Sequence, residues 1–141
     1  MSISEHNKRI LVKEIMYAID KMRSTEDYAE KLYFLSVVHS MANRILNIEY
    51  DSELVFIHFV LSQSHAQIST RYNAQTTRKE MPVSIPSGLF ESIENLLEDL
   101  AKTIKNNKQT HLILAKIAEL AYSTTGNGYY LYQKGLLIIN D

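Results

Sequence analysis

A chain of 141 residues, 45% hydrophobic and 22% charged, has the length and balance of one folded domain. It contains no cysteine, which excludes disulfide frameworks, thiol catalysis and thiolate metal sites. Fifteen Lys and Arg against sixteen Asp and Glu leave a formal charge of −1, so no global field recruits nucleic acid or anionic membrane, and 4 Gly with 2 Pro argue against an all-β architecture.

The first predicted helix covers about residues 3–22. Leu11, Ile15, Ile19 and Met22 recur at helical spacing, and Ser2 with Glu5 has the capping-box pattern. Charges are scattered through this stretch, so no secretory leader is expected, and the cytoplasm is the expected compartment. Ser24 and Asp27 form a second capping-box pattern, opening a helix over about 26–46. Ala29, Leu32, Leu35, Ala42 and Leu46 give that helix one apolar stripe, and Tyr33, Val37, Met41 and Ile45 give it another. Asn47 suits its C-terminal stop, and Asp51 or Ser52 suits the cap of the next element.

A third helix is predicted over about 53–72, with Leu54, Ile57, Leu61 and Ile68 at core spacing. Residues 54–70 contain no charged side chain, yet two histidines, two glutamines and three serines make them too polar to span a membrane. The stretch is expected to be the most enclosed of the helices. A loop over 76–88 holds both prolines. The fourth helix, from about Ser87, carries Leu89, Ile93, Leu96, Leu97, Leu100 and Ile104, with its acids early and its lysines late, as the helix dipole favours. A shorter fifth helix is expected over 110–122. The tail at 129–139, rich in Tyr and Ile, reads as a small β-hairpin turning at Gly135.

The expected fold is therefore mainly α: a single domain over 1–141, an up-and-down bundle of four long helices plus a short fifth, closed by a C-terminal β-hairpin. A helix with no charged outer stripe implies a partner on that side, so a homodimer is expected.

Catalytic and cofactor signatures are missing. No His lies three residues after a Glu, no two His stand four apart, and His58 and His65 are two turns apart, about 10.5 Å by helical rise. Neither a phosphate-binding glycine loop nor a Gly-x-Ser-x-Gly elbow occurs. Glu91 and Glu94 have no later Glu-x-x-Asp to complete a pyrophosphatase pattern, and no Arg precedes a His at ribonuclease-toxin spacing. No catalytic residue, metal site or cofactor is assigned.

Two stripes of uncharged polar residues remain. The second helix carries Ser36, Ser40, Asn43 and Asn47, with His39 alongside. The third carries His58, Ser62, His65, Ser69 and Tyr72. Facing each other between antiparallel helices, they would form a hydrogen-bonded core network, an interface or a polar pocket. His39, Asn43, His58, Ser62, His65 and Tyr72 are the candidate ligand-binding residues.

Three readings follow. The first is a non-enzymatic interaction or scaffold protein that acts as an oligomer through helices two and three and the hairpin. The second is a small-ligand or metal-ion binder using the histidine-lined stripe. The third is a helical subunit of a nucleic-acid-associated complex. For this third reading, Lys8, Arg9, Lys13, Arg71, Arg78 and Lys79 make only a weak case, offset by Glu14 and Glu80. No membrane partner is expected.

Overall fold

The computed structural model describes residues 1–77 and 85–125, with side chains over 1–73 and 85–122. Among the described residues there are five helices: α1 (Glu5–Arg23), α2 (Tyr28–Leu46), α3 (Ser52–Thr77), α4 (Leu89–Lys105) and α5 (His111–Thr125). The expected hairpin at 129–139 lies outside the described residues. Among those residues no helix is long and apolar enough to cross a membrane.

Local chemistry accounts for the helix ends. The cap of α1 is Ser4, whose hydroxyl accepts from the Asn7 amide at 3.2 Å. Ser2, expected as that cap, instead donates through its amide and hydroxyl to Asp51, each at 2.7 Å. Asp27 caps α2 by accepting from the Ala29 amide at 3.0 Å, so α2 starts one residue beyond its own cap. Asn47 closes α2 and Asp51 accepts from the Leu54 amide at the start of α3, both as the residue types predict. α4 is entered through Gly88 at φ 85°, a left-handed conformation that favours glycine.

The helices pack in a ring: α1 against α2, α2 against α3, α3 against α5, α5 against α4, and α4 back against α1. Contacts at the two ends give their directions. Lys8 in the first turns of α1 reaches Asn107 beyond the end of α4, while Arg23 at the end of α1 reaches Asn95 and Glu98, so α1 and α4 are antiparallel. Glu53 at the start of α3 accepts from the Thr110 amide and hydroxyl just before α5, so α3 and α5 are parallel. A closed ring of five cannot alternate throughout, and α3/α5 is the pair that runs the same way. The fifth helix is thus a full member of the ring and supplies Leu114, Ile117 and Ala121 to the core.

Leu11, Ile15, Met22, Leu35, Leu61 and Leu97 are among the side chains fully removed from solvent at the ring's centre. Each such burial is worth about 1.5–3 kcal/mol relative to exposure. One ion pair is enclosed with them. Lys31 Nζ lies 2.6 Å from the Met22 carbonyl and 3.1 Å from Glu94 Oε2, joining α1, α2 and α4. At the opposite end the N-terminal residues are tied to the start of α3 and the link before it: the Met1 ammonium pairs with Glu53 at 3.0 Å, and Ser4 and Asn7 donate to Glu49.

Candidate functional site

The unusual chemistry gathers on α3, which presents three faces. Leu54, Ile57, Leu61 and Ile68 form the inner face, because their spacing places them on one side of a 3.6-residue turn. The face toward α2 carries His58, Ser62, His65, Ser69 and Tyr72, all half-buried. The outer face carries Val55, Phe56, Phe59, Gln63, Ala66 and Thr70, all exposed.

On the α2 side, three imidazoles come together. The His39 ring centre lies 5.8 Å from that of His58 and 5.5 Å from that of His65. The His58 Nδ1 is 3.0 Å from the His39 carbonyl oxygen, so Nδ1 carries the proton it donates. Burial holds the pKa of His39 below its ordinary 6.5, and the neighbouring His65 and His58 push it in the same direction. Burial also lowers the pKa of His65, opposed by a hydrogen bond to the Leu32 backbone. The three rings form a row, 58–39–65, rather than a triangle. Because His58 and His65 are two turns apart, about 10.5 Å, the row cannot close around one ion. Among the described residues no group of three or more His, Asp or Glu is placed to hold a metal.

The α2 stripe divides. Only His39 turns toward α3. Ser40, Asn43 and Asn47 are exposed, and Ser36 and Ser40 line a groove of about 490 Å³ with Tyr17, Tyr33 and Met41. The expected facing of two whole stripes is corrected accordingly: of the candidate residues, His39, His58 and His65 meet, Ser62 and Tyr72 lie half-buried along α3, and Asn43 points away. At about 100° per residue, Asn43 is turned some 40° outward from His39, and that rotation takes it past the contact with α3.

The expectation that α3 is the most enclosed helix is likewise corrected. Phe56 is 42% and Phe59 59% exposed, because α3 sits at the ring's periphery between α2 and α5 and none of the described helices covers its outer side. His111 of α5 flanks that surface, its ring 5.8 Å from Phe56. The sequence signal for this face was the same run without charge that suggested enclosure; charge alone does not tell an inner face from an unpartnered outer one.

Several polar features lay beyond the sequence reading. Glu94, one of the acids in the first half of the fourth helix, is buried against Lys31 of α2. Lys8, counted as an available cation, is buried and held by Glu5 at 3.2 Å and by Asn107, leaving Arg9, Lys13 and Lys105 around a cleft of about 300 Å³ between α1 and α4. The Ser64 hydroxyl is buried and has no hydrogen-bond partner among the described residues. Comparison with protein-family models, with curated proteins and with solved structures finds no match to this chain.

Proposed function

We propose that this chain is a non-enzymatic helical interaction module that works as an oligomer, with the outer face of α3 as its contact surface. The observation that carries this reading is the composition of that face. Across 54–70 it holds no charge, and it exposes Val55, Phe56 and Phe59 side by side on one helix. Apolar residues scattered singly over a surface need no explanation, but a contiguous uncharged strip marks a place where another surface sits. Light scattering coupled to size exclusion tests it. The wild-type chain is expected at the mass of an oligomer, and Phe59→Glu at the mass of a folded monomer. A wild-type monomer at every concentration would refute the reading.

A second reading, a small-ligand binder at the α2–α3 seam, is favoured by the two imidazoles, His39 and His65, whose proton affinity burial lowers, since perturbed titratable groups cluster at functional sites. Native mass spectrometry of the purified protein separates the two. A co-purifying small molecule that is lost from the double variant His58→Ala, His65→Ala supports the binder. Bare protein, with a variant altered only in stability, removes it.

A further inference from the structure

We infer that the occupant of the α3 outer face is a second copy of this chain, its α3 antiparallel to the first, with Gln63 of the two copies meeting at a two-fold axis. This rests on the self-association reading and adds to it the partner, the direction and the register. Phe56, Phe59, Gln63, Ala66 and Thr70 are all exposed and follow one another at intervals of three, four, three and four. That is the spacing of a seam between two helices, repeating every 3.5 residues.

The seam is graded in size. Its N-terminal half carries two phenylalanines and its C-terminal half alanine and threonine. Parallel copies would set ring against ring at one end and leave a gap at the other. Antiparallel copies set Phe59 against Ala66 of the second copy and Phe56 against its Thr70. Large side chains then face small ones, the condition for close packing without voids. In that register Gln63 meets itself. A side-chain amide carries both donors and an acceptor, so two copies related by a two-fold satisfy one another.

Charge agrees with the same arrangement. The seam has none, so nothing on it repels its own copy.

The chain has no cysteine, so single cysteines report on the contact without background. Gln63→Cys, Thr70→Cys and, on the exposed side of α2, Asn43→Cys are each treated with a short bis-maleimide, after circular dichroism and light scattering on every variant. The inference expects Gln63→Cys to cross-link to a covalent dimer at least about tenfold faster than either of the others. Equally fast cross-linking at Gln63 and Thr70 means parallel helices and overturns it. An oligomer by light scattering with no preference for Gln63 also overturns it, while leaving self-association through another register or face intact. A monomer by light scattering removes both this inference and the reading beneath it.

Discussion

Helices α3 and α4 bury one face each in the same ring, and they finish the other face in opposite ways. α4 turns Glu91, Asn95, Asp99, Lys102 and Lys105 to solvent and keeps Leu89, Ile93, Leu97, Leu100 and Ile104 inside. α3 buries its own leucines and isoleucines as completely, yet turns Val55, Phe56, Phe59, Gln63, Ala66 and Thr70 outward. A buried face therefore says that a helix belongs to the fold, and the composition of the other face says what else it meets. For α4 the answer is water. For α3 an uncharged, partly aromatic surface costs solubility when bare, and on our proposal a second copy of the chain covers it.

The sharpest way to break this comparison is to charge the inner face of α3. Leu61 is fully buried, so Leu61→Asp places a carboxylate without a partner in the core. A cost above about 4 kcal/mol is expected, a large part of the 5–15 kcal/mol typical of a domain, and circular dichroism should show an unfolded or severely destabilised chain. A Leu61→Asp protein that unfolds at the wild-type denaturant midpoint would mean that the inner and outer faces have been misassigned. Phe59→Glu, two residues away on the outer face, is expected to leave that midpoint within about 0.5 kcal/mol of the wild-type stability in the monomer.

α4 has its own exception, Glu94, a carboxylate on the buried side held by Lys31. Lys31→Met leaves Glu94 enclosed and unpaired, at an expected cost of about 3–5 kcal/mol in urea unfolding. Replacing both, as Lys31→Met with Glu94→Leu, should recover most of that loss, because two apolar side chains fill the site without stranding a charge. Additive losses in the double variant would show that the pair is not coupled.

The smallest expected effect concerns the seam between α2 and α3. The pKa of His39 and His65 is lower in the folded chain than the ordinary 6.5 of the unfolded one. The unfolded chain therefore binds more protons in this range, and stability rises with pH. The stabilisation is fully present above about pH 6.5 and is lost as pH falls through the folded values. Asp51, Glu53, Glu49 and Glu98 also have lowered pKa values, but the stability they add is present throughout this range and is lost only at more acid pH, below their ordinary 3.8 and 4.5. Urea midpoints measured from pH 7.5 down to 5.5 thus isolate the imidazoles, and His39→Gln is expected to flatten the decline. An unchanged slope in that variant would show that His39 does not titrate against the fold.

Particular residues show how far the sequence could be read. Asn47 and Asp51 act at helix ends as their side chains predict, because a cap is satisfied within one turn of its own chain. Ser2 did not cap α1, since Asp51, far along the chain, offers a stronger acceptor for both its donors and Ser4 is free to take the cap. His39 met both His58 and His65 because it lies on the flank of α2 that α3 covers. Asn43, one turn later, did not, because its rotation around the axis leaves it outside that contact. Residues 54–70 were legible as a helix and as a charge-free surface, but not as a peripheral one.

What the sequence determined by itself is the set of five described helices, most of their ends and most of the apolar core positions, since period and capping are local properties of a few neighbouring residues; on α2, Ala29 and Tyr33, expected on its apolar stripes, are exposed. The tertiary structure alone decided the ring order 1–2–3–5–4, the burial of Lys31 with Glu94, and the exposure of Phe56 and Phe59. Each of those depends on which helix stands beside which, and that choice is settled by the summed burial of distant residues rather than by any one segment.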